Sequence, residues 1–439
     1  MMKKCGLAAY LAGYMILVIL LAVAQPITGD KSPPDEKNRY LIPQYICNYG
    51  VLPTGEEAEI RIPAYGFSYM LYNAFPYIMM GLAMQITNMF ISDPAALLLT
   101  ARMVNVMAGL AMAFAVYRLG SVLFQRERER WLFRLAVTFQ PMNLYVHSYV
   151  NTDSFCMLST ALIVYALVLL YRNGACAKTS LILASGIILC ALSYYSAYGY
   201  ILAAAFLVTA YFIRTKQDGG IMFDRKNFLK FGLLTAGVVL AGISWWFIRQ
   251  GIALRGDFLG LRTRDEMTAA YGIAAVQKSN TFAGQGVSFI EMIGGMIHRG
   301  LPLKLAGTLV AAYGSPMTVR PSGWFYAIYA LVWGLGFAGC LVTRIRMRVR
   351  RETREWKWHL FHGCMILCII LPLILFLKYC YSYDYQEQGR YLLPALVPAM
   401  MYITKGISRL SRQVSPVCAA AIIFCAAWMV FAVALPAFA

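Results

Sequence analysis

The sequence predicts an all-α, multi-pass membrane protein with about eleven transmembrane helices, in a range from ten to twelve. Of its 439 residues, 60% are hydrophobic and only 13% are charged. Soluble domains are about half apolar and about a quarter charged. Apolar runs of about 20 residues recur along the chain, and a helix of that length crosses a bilayer core. The period-two alternation of membrane-spanning strands is not evident.

Eleven apolar segments are predicted to span the membrane. With the amino terminus in the cytoplasm, 24 of the 39 Lys and Arg residues but only 6 of the 20 Asp and Glu residues fall on the cytoplasmic side. This excess agrees with the positive-inside rule. The basic runs are therefore interpreted as topology signals facing anionic lipid, and no nucleic-acid-binding motif accompanies them. The approximate spans are 7–26, 95–117, 132–150, 154–171, 179–195, 197–213, 230–248, 324–343, 359–379, 391–405 and 415–437.

The first apolar stretch ends in "LAVAQP", which contains an A-x-A-like signal-peptide cleavage site. A retained first helix is the preferred interpretation, and cleavage is left open. The loop that follows lies outside the membrane in either case. The eleven cysteines lie mostly within spans, so they form neither a disulfide framework nor a Cys-x-x-Cys metal pattern.

Two long outer loops, 25–94 and 249–323, belong to one transmembrane domain that covers 1–439. Long loops in compact proteins are usually functional or disordered, and the first loop is rich in Tyr, Ile, Leu and Pro. "NRYLIPQYICNYG" and "GVSFIEMIGGMIHRGLPLKL" predict interfacial helices, the first closed by Gly50. Residues 67–90 are either a span or an interfacial segment, and Pro76 favours the second.

The polar residues gather at the predicted outer rim, since the span centres are almost free of charge. Asp35 and Glu36 follow two prolines that restrict the backbone. They suit the N-terminus of a helix, where Asp is a favoured cap. A carboxylate on a rigid turn at the membrane surface is also suited to act as a general base or a metal ligand. The two interpretations are compatible.

Two later segments carry polar groups to the same rim. Asp153 lies in the short "NTD" turn between two spans and is either an N-cap or a functional acid. Arg390 opens a span in "QEQGRYLLP", and Lys378 is expected at the same depth one helix earlier. An arginine there either extends to the interface or pairs with phosphate through its planar fork.

Four segments occur in an order that is similar to a known superfamily. They are "PPDEKNRYLIPQYICNYGVLPTG", "ARMVNVMAGL", "QPMNLYVHSYVNTDSF" and "QGRYLLPALVP". Together they resemble the GT-C superfamily of lipid-dependent membrane glycosyltransferases, and within it a bacterial branch with a PDE motif and a late QGRY-hydrophobic-P motif. In topology the resemblance covers nearly the whole chain, whereas the motifs cover about a tenth of it.

The resemblance implies an inverting transferase of the plasma membrane whose active site faces outside. Its donor would be a polyprenyl-phosphate-linked sugar, and its acceptor a glycan, lipid or protein of the cell envelope. The implied catalytic acids are Asp35, Glu36 and Asp153, of which Asp35 and Asp153 would hold any divalent cation (Mg or Mn). The implied substrate-binding residues are Arg39, Lys378, Gln388 and Arg390.

Two departures from the family pattern affect these assignments. Arg39 stands where one variant of the pattern has a histidine, so a phosphate contact replaces any histidine-based role. "SYYSAYGY" lacks the basic residue that many relatives have between spans five and six. The donor phosphate must therefore find its cations at Arg390 and Lys378.

The residues themselves support this chemistry, because glycosyl transfer needs a base for the acceptor hydroxyl and cations for the departing phosphate. A transporter or flippase of lipid-linked glycans is the first alternative, and it would need charges along a path through the bundle. A membrane scaffold or receptor is the second. The distances in space between Asp35, Asp153 and Arg390 discriminate between the enzyme and the two alternatives, since an enzyme must bring these residues together in one cavity.

Overall fold

The structure, a computed structural model, describes residues 2–72, 74–215, 220–349 and 356–439. Residues 213–215 (β1) and 221–223 (β2) pair as an antiparallel hairpin with Ile213 opposite Phe223. Short 3₁₀ segments include Tyr69–Leu71 and Gly389–Ala395. The α-helices are α1 (Met2–Ala24), α2 (Glu36–Tyr49), α3 (Phe75–Asn88), α4 (Pro94–Leu123), α5 (Glu127–Thr138), α6 (Pro141–Val146), α7 (Asp153–Asn173), α8 (Ala177–Ala191), α9 (Tyr198–Tyr211), α10 (Arg225–Ala253), α11 (Leu261–Tyr271), α12 (Phe289–His298), α13 (Leu301–Val310), α14 (Gly323–Val349), α15 (Trp356–Ser382), α16 (Leu396–Leu410), α17 (Val414–Trp428) and α18 (Leu435–Phe438).

The predicted fold class, an all-α multi-pass membrane protein, is confirmed. In the part of the chain that the structure describes, seven helices are long and apolar enough to cross a membrane. The count of about eleven spans stays a prediction, because α8 and α9 are shorter apolar helices. The seven are Gly6–Ala24, Pro94–Leu123, Asp153–Asn173, Arg225–Ala253, Gly323–Val342, Trp356–Ser382 and Val414–Phe438.

Hydrogen bonds between helices show how the chain alternates direction. Arg102 near the start of α4 donates to the Ala22 carbonyl at the end of α1, at 2.8 Å. The Tyr171 hydroxyl near the end of α7 donates a hydrogen bond to the Leu207 carbonyl near the end of α9, at 2.9 Å. Arg249 at the end of α10 donates to the Leu52 carbonyl in the first loop, at 3.0 Å. The two long loops therefore lie at the same end of the bundle, which we call the loop end.

Residues 132–150, predicted as one span, form two helices and an irregular segment. Pro141 occupies the first turn of α6, where its missing N–H costs nothing. The Gln140 side chain caps α6 by accepting the Asn143 N–H at 2.6 Å. The carbonyls of Tyr149 and Asn151 accept hydrogen bonds from Asn105 of α4 at 2.5 and 3.1 Å. This buried irregular backbone is thus hydrogen-bonded, and it fixes the start of α7.

The helices predicted within the loops are present. The first predicted helix is α2, and Gly50 ends it with φ of 70°, a left-handed conformation that suits glycine. The helix in 67–90, α3, has 14 residues and spans only about 21 Å. Ser288 and Glu291 form a capping box at the start of α12. Their interfacial placement and the loop bounds 25–94 and 249–323 stay predictions.

Candidate functional site

Asp35 is held in a strained turn at the start of α2. Its φ of 61° and ψ of 5° lie in the left-handed region, which is uncommon for a residue other than glycine. Asp35 occupies the N-cap position, but its side chain makes no capping hydrogen bond. Its Oδ2 instead accepts a hydrogen bond from Nη2 of Arg390 at 3.2 Å. The carboxylate is therefore directed to the interior of the loop end and is available for another role.

Glu36, predicted as a catalytic acid, is enclosed by protein. Its side chain is 0% exposed, and both carboxylate oxygens accept hydrogen bonds from Arg102, at 2.6 and 2.9 Å. The Val150 N–H donates to Oε1 at 2.8 Å. Glu36 thereby joins the first loop to α4 and to the segment before α7. Its position fits an anchoring role, and the pair that it forms is a buried, bidentate one.

Asp153 is the first residue of α7, and Thr152 is the N-cap residue. The N-cap interpretation of Asp153 is therefore off by one position. Its carboxylate still benefits from the partial positive charge of the helix N-terminus. The side chain is 6% exposed, and Oδ2 lies 3.6 Å from Nη1 of Arg39. The structure thus brings the second predicted acid to the first loop.

Arg39 lies one turn after Asp35 on α2, between the two carboxylates. Its Nη2 is 3.8 Å from Asp35 and its Nη1 is 3.6 Å from Asp153. The guanidinium carbon lies 5.4 Å from the centre of the Tyr69 ring. The side chain is 10% exposed, and Nε and Nη1 have no hydrogen-bond partner among the described residues. A buried guanidinium with unused donors is expected where a ligand binds.

Arg390 reaches the same place from the other end of the sequence. Its side chain is 1% exposed; Nη1 donates to the Tyr149 hydroxyl at 2.9 Å and Nη2 to Asp35. Its Nε has no partner within the described ranges. Gly389 lets the chain approach α13 closely, because a Cβ there would overlap the backbone of α13. We call Asp35, Arg39, Asp153 and Arg390 the carboxylate–arginine cluster.

Two predicted substrate-binding residues lie outside the carboxylate–arginine cluster. Gln388 donates to Gln386 at 2.8 Å, and its buried Oε1 has no partner in the part of the chain that is described. Lys378 is exposed on α15, and no hydrogen bond or ion pair within the described residues joins it to the cluster. The structure therefore unites four of the seven predicted residues. It anchors Glu36 separately, and among the described residues no hydrogen bond or ion pair joins the side chain of Gln388 or Lys378 to the cluster.

Sequence reasoning missed several groups beside the cluster. Arg102 lies within the quoted "ARMVNVMAGL" segment, where an arginine in an apolar helix was the available signal. Tyr149 and Asp384 carried no pattern that distinguished them from other rim residues. Asp384 accepts hydrogen bonds from Gln386 at 2.5 Å and from Tyr65 at 3.4 Å. Burial raises the pKa of Asp384, and the nearby charge of Asp35 raises it further against these two hydrogen bonds.

The cluster fits an anion better than a divalent cation. The formal charges of two carboxylates and two guanidiniums cancel, so the preference for an anion comes from the arginine donors that have no hydrogen-bond partner among the described residues. Asp35 and Asp153, the predicted ligands of a metal ion, both face Arg39. Within the described residues no group of three or more His, Cys, Asp or Glu side chains is placed to hold an ion. Because a guanidinium already lies between the two predicted ligands, the residues present do not fit a divalent cation.

Comparison with known proteins identifies a family and a fold. A family model described as "Predicted membrane protein (DUF2142)" matches residues 55–400. No curated protein matches the chain.

Three solved structures share the fold over nearly the whole chain. The Archaeoglobus fulgidus oligosaccharyltransferase AglB, in complex with an inhibitory peptide and a dolichol-phosphate, is 13% identical with a TM-score of 0.51, over 99% of this chain and 56% of that one. The oligosaccharyltransferase of the same organism, in complex with Zn and sulfate, is 15% identical with a TM-score of 0.52, over 98% of this chain and 53% of that one. The arabinofuranosyltransferase AftD from Mycobacteria is 11% identical with a TM-score of 0.51, over 96% of this chain and 27% of that one. This chain therefore shares its fold with these transferases, and it spans about half of the length of the oligosaccharyltransferase.

Proposed function

We propose that this chain, which belongs to the membrane-protein family DUF2142, is a GT-C-type glycosyltransferase. It would move a sugar from a polyprenyl-phosphate donor to a cell-envelope acceptor on the outer face of the plasma membrane. One observation carries the proposal. Asp35 and Arg390, which are 355 positions apart in the sequence, are hydrogen-bonded to each other, and the ion pair of Asp153 with Arg39 lies beside them. This gathering favours an enzyme over a transporter or scaffold, because the charges collect at one end of the bundle.

Asp35 is the proposed general base. It is the acid of the cluster with the greater exposure, 27% of its side chain, whereas Asp153 is 6% exposed. In the proposed step the acceptor hydroxyl oxygen attacks the anomeric carbon, and the bond from that carbon to the phosphate oxygen breaks. The hydroxyl proton passes to Asp35, and the electron pair of the broken bond stays with the polyprenyl phosphate. Attack from the face opposite the phosphate inverts the anomeric centre.

Arg390 and Arg39 are the proposed phosphate ligands. Negative charge on the phosphate grows as its bond to the sugar breaks, so fixed positive charges nearby stabilise the transition state more than the ground state. Nε of Arg390 and Nε of Arg39 supply donors without hydrogen-bond partners among the described residues, whereas Nη1 of Arg39 lies 3.6 Å from Asp153. Oε1 of Gln388 is suited to accept a hydrogen bond from the donor sugar. Lys378 stays a predicted contact for a more distant part of the donor.

The other two acids take positioning roles in this proposal. Asp153 is held by the start of α7 and faces Arg39, so it would orient that guanidinium toward the donor. Glu36 anchors the turn that carries Asp35 through its pair with Arg102. The dolichol-phosphate in the AglB complex is consistent with a lipid-linked donor for this fold.

The test uses purified protein in nanodiscs with a panel of radiolabelled polyprenyl-phosphate sugars. Loss of donor and binding of donor are measured for the wild type and for Asp35→Asn. We expect the variant to lose about a hundredfold or more of turnover and to retain donor binding. Asp30→Asn is the matched control, since Asp30 is an exposed acid of the same loop. Equal turnover in wild type and Asp35→Asn would exclude Asp35 as the base, and absence of donor binding would favour the transporter.

A further inference from the structure

Arg39 occupies the place that a bridging cation would take between two acids. Asp35 comes from the turn before α2 and Asp153 from the first turn of α7, so each is fixed by a different element. The two terminal nitrogens of Arg39 face them separately, Nη2 at 3.8 Å from Asp35 and Nη1 at 3.6 Å from Asp153. A planar guanidinium can serve two carboxylates at once, which the single ammonium of lysine does less well.

We infer that Arg39 is a built-in cation that replaces a divalent metal ion between Asp35 and Asp153. The inference rests on the proposed site, but it concerns ion binding and can be measured without turnover. It differs from a phosphate contact, because it assigns Arg39 a role toward the two acids before any donor binds.

Electrostatics supports the exclusion of a metal ion. A unit positive charge within about 4 Å of both carboxylates strongly repels a dication at the same place, and burial weakens the screening by water. The guanidinium is well fixed: its side chain is 10% exposed, and the Tyr69 ring lies against it. A metal ion would have to displace it.

The local ligand supply points the same way. Mg²⁺ and Mn²⁺ prefer about six oxygen ligands in a near-octahedral arrangement. The neighbouring carboxylate, Glu36, is already held by Arg102 and by the Val150 N–H. Asp384 is engaged with Gln386 and Tyr65. Asp35 and Asp153 are the acids of the described cluster that are left to hold an ion, and both face the positive charge of Arg39.

The role of Arg39 in the proposed reaction follows from its position. A fixed guanidinium neutralises the two acids, which would otherwise repel a phosphate, and it keeps the Asp35 carboxylate oriented toward Arg390. Its remaining donors then face the donor phosphate as charge develops there. A metal ion supplies the same neutralisation in other sites, but it must first be bound from solution.

The test measures Mn²⁺ binding by electron paramagnetic resonance and calorimetry on the full chain in phosphatidylcholine nanodiscs. We expect the wild type to bind Mn²⁺ no better than the double variant Asp35→Asn/Asp153→Asn. Arg39→Gln, which keeps length but removes charge, is expected to gain one Mn²⁺ site and to bind roughly tenfold tighter or better. Adding Asp35→Asn to Arg39→Gln should abolish that site. Arg39→Lys keeps the charge and should bind no Mn²⁺.

Two results would overturn the inference. One is a Mn²⁺ site in the wild type that Asp35→Asn or Asp153→Asn removes, and this measurement does not depend on whether Arg39→Gln folds. The other is a folded Arg39→Gln that still binds no Mn²⁺, because the guanidinium would then not be what excludes the ion. Failure of the transferase proposal has a separate signature, namely absence of donor turnover and binding, which these ion measurements do not involve.

Discussion

Asp35 and Glu36 are neighbours in sequence and both contact arginines, but they differ in burial and hydrogen bonding. The Glu36 pair is fully buried and fully hydrogen-bonded, which we call the complete pair, whereas Asp35 is partly exposed and accepts fewer hydrogen bonds. Glu36 is 0% exposed, and its two oxygens accept three hydrogen bonds. Asp35 is 27% exposed and accepts one side-chain hydrogen bond, at 3.2 Å. The left-handed turn at Asp35 separates the two side chains. One acid therefore stabilises the turn, and the other stays available at its surface.

The arginines that face these two acids differ in the same way. Arg102 donates to both oxygens of Glu36 and also to the carbonyls of Ala22 and Gln25. Arg39 and Arg390 are buried to a similar degree but keep donors without partners among the described residues. Leaving a buried donor unsatisfied costs about 1–3 kcal/mol. The difference is consistent with our proposal, in which the first pair stabilises the fold and the carboxylate–arginine cluster binds the donor.

Removing the charge of Glu36 from its pair with Arg102 should have the largest of the expected effects, and the effect is on the stability of the protein. Glu36→Gln leaves Arg102 as a buried charge without its partner, which costs about 3–5 kcal/mol of unfolding free energy. The midpoint of thermal unfolding in detergent should therefore fall markedly, and Asp35→Asn should lower it much less. Glu56→Gln, at an exposed acid of the same loop, is the control. A Glu36→Gln protein as stable as its Asp35→Asn counterpart would remove the distinction between the two acids.

Several parts of the fold and the site could be predicted from the sequence, because their signals are local. Apolar length predicted membrane helices, and Gly50 marked the end of α2. The turn after Pro34 placed Asp35 at a helix start. Asp153 and Arg390 were expected beside it because each opens a span on the same side of the membrane. In the structure Arg390 donates to Asp35, and Arg39 lies between Asp35 and Asp153.

The remaining features depend on packing between distant segments, which no local pattern records. The pairing of Glu36 with Arg102 depends on how α4 meets the first loop. The division of 132–150 into α5 and α6 required knowing that Gln140 would cap a new helix at Pro141. Lys378 was predicted near the site from depth alone, whereas its position around the axis of α15 leaves it exposed.

Within the carboxylate–arginine cluster, Arg390→Lys should have the next largest effect, a loss of donor turnover. Lysine concentrates its three donors on one nitrogen, so it cannot reproduce the fixed fork in which Nη1 bonds Tyr149, Nη2 bonds Asp35 and Nε stays without a partner among the described residues. We expect donor turnover to fall by about 10²–10³-fold, the range seen when one preorganised donor is lost from a catalytic site. Arg320→Lys, at an exposed arginine of the second loop, should keep wild-type turnover. Unchanged turnover in Arg390→Lys would place the phosphate elsewhere.

Tyr149→Phe should have a smaller effect, because it deletes one partner of Arg390 and leaves the charge in place. The lost hydrogen bond, 2.9 Å long, is worth about 1.5–3 kcal/mol to a charged group, and part of that loss should appear as about tenfold lower turnover. If Tyr149 acts through Arg390, its effect should shrink in the Arg390→Lys background. Tyr49→Phe, at an exposed tyrosine, is the control. Strictly additive effects would mean that Tyr149 acts independently of Arg390.

The smallest effect concerns Asp384, a partly buried acid whose pKa is raised by burial and by the charge of Asp35. A raised pKa means that ionisation is harder in the folded state than in the unfolded one. At pH values below about 3.9, the usual pKa of Asp, the group is protonated in both states. As the pH rises through the folded pKa, the wild type therefore loses stability relative to Asp384→Asn.

The midpoints of thermal unfolding of wild type and Asp384→Asn should thus be similar near about pH 3, and the variant should be the more stable near about pH 7. The difference should be small, because the carboxyl is only partly buried and water screens its charge. Asp30→Asn, at an exposed acid, should show no such pH dependence. A wild type that gains stability over Asp384→Asn as pH rises would mean that Asp384 is favoured in its ionised form. It would then belong with Asp35 as a second open carboxylate beside the arginines.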